Sequence, residues 1–290
     1  MDFRCPESDW SILAVAPPYS QLAGVLAGFV FTGIVLLLTQ RSLNSLRVRT
    51  LTLFVAAFLV LSLDSYQWGL MAGDSVDTKA CNRLLVEGEI ASGLLAVGAM
   101  AIISGINWLL ASHLKSHPSA TEQNESEPDL GERQRVIWQL EVLCRVTLYS
   151  LATIVAIQLA VTASDYLRIV LNDGSQLAWM RWAVLSYPLF IVASIGFLEV
   201  RHRRSGKRGA DRILAMWLGA LGAVIYAAAA TILLGAIIGV SADFWVKTPL
   251  WMVSIALAFG LLAPAPILVA LVYASPRLQG DARPNPNETA

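Results

Sequence analysis

Seven apolar stretches, each near the ~20 residues that a helix needs to cross the hydrocarbon core of a bilayer, dominate this chain. They cover residues 19–39, 51–71, 90–110, 146–163, 182–198, 213–240 and 249–274. All are free of charge except the second, which contains Asp64. With 56% hydrophobic and only 14% charged residues, the chain falls well below the ~25% charge of a soluble domain. The reading is an all-α polytopic transmembrane helix bundle, a multi-pass protein of the cell membrane. No polar segment is long enough for a soluble domain of useful size. Lys plus Arg balance Asp plus Glu at 21 each, which argues against a nucleic-acid partner, since that would need a basic excess.

The fourth stretch is short and carries Thr147, Tyr149, Ser150, Thr153, Gln158 and Thr162. Dropping it gives six spans and inverts everything after it. Charge placement decides between the two readings. With seven spans and the N-terminus outside, only Arg4, Lys79, Arg83, Arg168, Arg181 and Lys247 lie outside, and the remaining 15 of 21 basic residues lie in the cytoplasm. That is the positive-inside bias. Six spans would move the cluster Arg201, Arg203, Arg204, Lys207, Arg208 and Arg212 to the outside. Seven spans with a cytoplasmic C-terminus are therefore expected. Trp68, Trp108, Trp182, Trp217 and Trp251 fall near span ends, where indole rings anchor at the headgroups.

Residues 1–18 are read as an extracytoplasmic arm, 19–274 as the seven-helix domain and 275–290 as a disordered cytoplasmic tail. Residues 1–20 are not expected to be a cleavable leader, because Asp2, Glu7 and Asp9 stand where a leader is basic. A cytoplasmic loop at about 113–141 divides three spans from four. Its centre, SHPSATEQNESEPDLGER, is polar and lacks aromatics, so it is expected to be disordered. Asn124 and Asn287 match the glycosylation pattern but lie on the cytoplasmic side of this topology.

Helices in lipid associate through close packing of small residues. Gly24 and Gly28 stand four apart with Ala23 and Ala27 beside them. Similar stripes run through Gly93, Gly98 and Gly105, and through Gly219 and Gly222. Packing within one bundle explains such stripes. A homo-oligomer through the Gly24/Gly28 face is the alternative. Pro264 and Pro266 in the last span, and Pro188 in the fifth, each remove a backbone donor, so kinks or breaks are expected there.

Asp64 is the residue that asks for a reason. An acid near mid-membrane costs on the order of 2.5–3.5 kcal/mol, so it is expected to face the bundle interior or water. No Lys or Arg shares its depth. The polar residues at that depth are Gln158, Ser186, Tyr187, Tyr226 and Thr231. Asp64, Gln158 and Tyr226 are the transport-pathway candidates. Glu87 and Glu89 are two apart and face different sides of a helix. They are read as a solvated outer mouth rather than a paired-carboxylate site.

Cys5 and Cys81 both fall outside, where a disulfide can form, while Cys144 is read as a packing residue. No metal or cofactor site is expected: His113 and His117 lack completing ligands. No catalytic constellation is found either. H-E-x-x-H is absent, no span contains a histidine, and the last span has no lysine for a Schiff base. The expectation is a channel or secondary transporter for a small ion or solute, with the lipid bilayer as its surroundings. The alternative is a membrane-embedded signalling or scaffold subunit whose loop Arg201, Arg203, Arg204, Lys207 and Arg208 holds anionic lipid or a cytoplasmic partner.

Overall fold

A computed structural model describes residues 12–39, 45–74, 81–116, 127–170, 178–205, 210–241, 244–245 and 249–276. Nine α-helices are formed by them: α1 (Ile12–Thr39), α2 (Ser45–Ala72), α3 (Cys81–Ser116), α4 (Glu127–Val170), α5 (Ala178–Leu185), α6 (Tyr187–Ser205), α7 (Ala210–Ile238), α8 (Leu250–Leu257) and α9 (Pro264–Tyr273). A π-helical turn, Ala258–Leu262, joins the last two. Among the described residues there is no strand. Helices keep every backbone hydrogen bond within the segment, as hydrocarbon demands.

Among the described residues, six helical segments are individually long and apolar enough to cross a membrane, α8 to α9 counting as one. The pair α5–α6 makes a seventh if its two halves, bent by 43°, form one span. Pro188 accounts for the bend, since it withholds a backbone donor one turn after Val184. The chain is thus a helical transmembrane bundle. Several boundaries differ from those read in the sequence. α1 starts at Ile12, seven residues before 19, and runs through Pro17 and Pro18. α4 starts at Glu127, so the latter half of the expected disordered loop is helical. Residues such as Glu132, Gln134, Arg135 and Leu140 favour helix intrinsically, and α4 at 44 residues is about 66 Å long at 1.5 Å per residue. Residues 117–126, with Asn124, lie outside the described residues, as do 1–11 and 277–290.

The innermost elements are α3 and the α8–α9 span, with 61% and 56% of their most apolar windows buried. Small residues let backbones meet there. A Cβ on Gly98 would stand 2.6 Å from Leu61 Cδ2, and one on Gly105 would stand 2.5 Å from Phe54 Cε1. In α7, Gly219 packs at 3.0 Å on Leu271 in the same sense. The Gly24 part of the α1 face is taken up inside the bundle. Ala23 and Ala27 pack on Leu61, and a Gly24 Cβ would stand 3.1 Å from Ser65 Oγ. Ser20 and Ser65 each donate a hydroxyl to the other's carbonyl, both at 2.9 Å. Gly28 faces open space.

The outward surface is a lipid belt, with Phe29, Leu189 and Ile232 more than 70% exposed. Trp182, Trp217 and Trp251 are exposed at helix ends as anchors should be. Trp68 and Trp108 are buried instead. Trp68 stacks on Tyr19 with centroids 5.0 Å apart, and Trp108 carries the Arg49 guanidinium over its ring at 5.1 Å. The facing helix covers both indoles, a consequence of packing that span position alone does not reveal.

Candidate functional site: two buried acids beside a helical π-turn

At one end of the bundle α2 finishes and α3 begins. Asp64 is eight residues from Ala72, and Glu89 eight residues from Cys81, so both carboxyls stand about 12 Å in from that end. Asp64 is completely buried and Glu89 is 1% exposed. The expectation that Glu87 and Glu89 form a solvated mouth is overturned, because Glu87 is buried as well. The reason is the length of α3. It begins nine residues before 90, and Leu84, Leu85 and Val86, all buried, carry the acids inward with it.

The two glutamates part company, as their spacing requires. Glu87 turns to Arg83, whose Nε lies 3.3 Å from Glu87 Oε1, while the Arg83 guanidinium also pairs with Asp74. Glu89 turns to the interior. Neither oxygen of Asp64 nor either oxygen of Glu89 has a hydrogen-bond partner among the described residues. Trp68, one turn beyond Asp64, faces its carboxyl. It does not reach hydrogen-bond geometry, since the Trp68 indole nitrogen is itself unpartnered.

Tyr226 of α7 joins these groups to the last span. Its phenol lies near enough to Asp64, Glu89 and Tyr187 for their charges to act on it. The Tyr226 hydroxyl donates to Phe259 O at 2.8 Å and lies 3.4 Å from Ile90 O. Phe259 sits in the π-turn, where Ala263 N donates five residues back to Ala258 O at 2.8 Å. The donor that would follow in that register belongs to residue 264, which is proline. Proline has no N–H, so the Phe259 carbonyl loses its helical donor and the phenol replaces it. The last span thus stays helical from Leu250 to Tyr273 and takes up the missing donor as a π-turn, whose freed carbonyl is held by one of the candidate residues, Tyr226.

Glycines bring the backbones together here. A Cβ on Gly260 would stand 2.6 Å from Glu89 Cγ, 2.7 Å from Glu89 O and 2.8 Å from Glu89 Oε1. A Cβ on Gly93 would collide with the Tyr226 hydroxyl and stand 3.0 Å from Gly260 O. The carboxyl of Glu89 therefore lies directly against the π-turn. Tyr166 of α4 is close enough for the Glu89 charge to act on it, and the hydroxyls of Tyr166 and Tyr187 are buried without partners among the described residues. The result is a cluster of two carboxyls and three phenols, open to no solvent and lacking a cation among the described residues. Such an arrangement can bind a proton, or a small cation that brings its own charge.

Of the sequence candidates, Asp64 and Tyr226 come together. Gln158 does not, because it is exposed on the outer face of α4. Helical phase, not depth, excludes it: Ala156, Leu159 and Ala160 occupy the buried side. Ser186 is likewise exposed. Glu89 is the member that sequence reasoning missed. The signal for it was the apolar triplet 84–86 ahead of the acids, which marks the span as starting earlier.

Elsewhere, Cys81 is disulfide-bonded and Cys144 is a free cysteine; Cys5 lies outside the described residues. Arg201 is exposed at the end of α6, Arg203 and Arg204 lie in its last turn, and Lys207 and Arg208 lie outside the described residues. Arg212 is buried, donating to Ser275 O at 2.9 Å. No group of three or more His, Cys, Asp or Glu residues suited to a metal occurs among the described residues. Comparison of the chain with known protein families, with curated proteins and with solved structures finds no match.

Proposed function

We propose that this protein is a secondary transporter energised by protons or a small monovalent cation, with Asp64 and Glu89 as the coupling pair. The observation that carries this reading is that two buried acids, both within electrostatic reach of Tyr226, meet no cation and no hydrogen-bond donor beyond the facing Trp68 indole among the described residues. Acids inside a membrane are costly and face interiors or pathways. A purely structural acid is expected to be hydrogen-bonded across helices, as buried polar groups generally are. The π-turn in the last span adds support. π-Bulges inside helices occur frequently at functional sites, and here the π-turn lies against Glu89. Tyr226 and the Phe259 carbonyl link occupancy of the acids to the shape of that turn.

The positive-inside bias favours an orientation in which the α2–α3 end, with both acids, lies in the half of the membrane facing outside. The cell membrane is the corresponding location.

The test requires no knowledge of the co-transported solute. Purified protein is reconstituted in proteoliposomes on a solid-supported membrane and given a pH jump or a sodium jump. Binding of charge at a buried site produces a transient current. The wild type is expected to give one, and Asp64→Asn with Glu89→Gln to abolish it while the protein remains monodisperse. A wild type with no transient current, or a double variant that keeps it, refutes the reading.

A further inference from the structure

The acid cluster has a neighbour that opens toward lipid. Between the bend of α5–α6 and the π-turn lies a groove of about 350 Å³, walled by Trp179, Ala183, Tyr187, Phe190, Leu257 and Leu261 among others. That is within the range of small-molecule sites, roughly 300–1,000 Å³. Trp179 and Phe190 are 66% and 65% exposed on the surface that lipid covers, so the groove is entered from the bilayer.

Three properties of the groove restrict what fits it. Its walls are almost wholly apolar, which excludes sugars and small hydrophilic ions. Three of those walls are aromatic, and aromatic faces attract cations, most strongly where water is absent. The third property is Tyr187, which belongs to both the groove and the cluster. Tyr187 lines the groove, it is 4% exposed, its hydroxyl is buried without a partner, and it lies within electrostatic reach of Tyr226. The groove's opposite wall, Leu257 and Leu261, belongs to the same stretch as Gly260, which packs against the Glu89 carboxyl. An anion in the groove would face the Glu89 carboxyl across that one helical turn, in a medium that screens poorly.

From this geometry we infer that the groove is a lateral binding site for lipophilic cations, amphipathic molecules that carry positive charge on an apolar body and arrive from the bilayer. The inference deepens the transport reading by naming a substrate class, and rests on the same acids. A cation in the groove and a proton on the acids compete electrostatically, so that loading one favours release of the other.

The probes are tetraphenylphosphonium and tetraphenylborate, which share a shape and carry opposite charge. Binding of each to the full-length protein in detergent is measured by equilibrium dialysis. Tetraphenylphosphonium is expected to bind at least about tenfold more tightly, as charge complementarity at a desolvated site requires. Ala183→Trp, which fills the groove from its exposed side, is expected to abolish that binding. Ile232→Trp, on the lipid face of α7, leaves it unchanged. Asp64→Asn with Glu89→Gln removes the preference for the cation and keeps the groove. Equal binding of the two probes overturns the inference, as does undiminished binding in Ala183→Trp. Neither result touches the pH-jump current, and a missing current with cation-selective binding leaves this site standing while the transport reading falls.

Discussion

Replacing Tyr226 by Phe removes one oxygen atom and leaves the packing around the ring in place. What it exposes is the carbonyl of Phe259, which accepts from the Tyr226 hydroxyl at 2.8 Å because residue 264 is a proline. An orphaned buried acceptor costs about 1–3 kcal/mol. Interhelical hydrogen bonds in membranes average about 0.6 kcal/mol and reach about 1.7, because the unfolded chain in lipid finds partners too. The expected loss for Tyr226→Phe is therefore about 1–2 kcal/mol, toward the upper end because the acceptor has no water to turn to.

The origin of the loss is tested by a second substitution. Pro264→Ala restores a backbone N–H at the point where the helix lacks one. With it the last span can run on with α-helical bonding, Ala263 N donating to Phe259 O and residue 264 N to Gly260 O. In that background the hydroxyl of Tyr226 is redundant, and Tyr226→Phe is expected to cost less than about 0.5 kcal/mol. The assay is reversible unfolding of the full-length protein in mixed micelles titrated with dodecyl sulfate, read by circular dichroism for the four members of the cycle. If Tyr226→Phe costs the same with and without Pro264, the phenol is not standing in for the missing donor, and the account of the π-turn given above is refuted.

Gly260→Ala is expected to destabilise the protein by about 1–3 kcal/mol, as overpacking does. Truncating Glu89 to Ala should not rescue it, because Glu89 O stands 2.7 Å from the added methyl; rescue would show that only the side chain is in the way. Gly28→Ala meets nothing within 4 Å and is expected to be neutral or to gain up to about 1 kcal/mol; a clear loss would mean that a second copy or another partner covers that face. For Cys5 and Cys81, intact mass before and after reduction is expected to differ by the two hydrogen atoms that reducing one disulfide adds, and two free outer thiols would refute the pairing. With all native cysteines removed, Ser241→Cys should react with an impermeant maleimide from outside, whereas reaction only after permeabilisation would invert the proposed topology. Asp64→Cys in the same background should be labelled only when water reaches the acid pair, and complete protection under all transport conditions would count against a pathway there.

The transmembrane class of this protein follows from local physics, because hydrocarbon accepts only self-satisfied backbone and the apolar stretches leave no other solution. The same reasoning reaches the irregularity before Pro264, since a missing donor is a property of one residue. It also reaches Asp64, whose cost depends on depth along its own helix. What remained hidden depends on which faces of different helices meet. Gln158 and Tyr226 were equal on depth, and only the rotation of α4 and α7 within the bundle sends one to lipid and the other to the acids. Glu89 looked like part of a wet rim because charge was taken to end the span. Tertiary packing pays for burying it by covering residues 84–89 of α3. The lipid-facing groove was beyond any linear reading, since its walls come from the bend at Ser186 and the turn at Ala258–Leu262, some seventy residues apart. Periodicity and composition specify which segments enter the membrane; the small-residue contacts between them decide which side chains share a site.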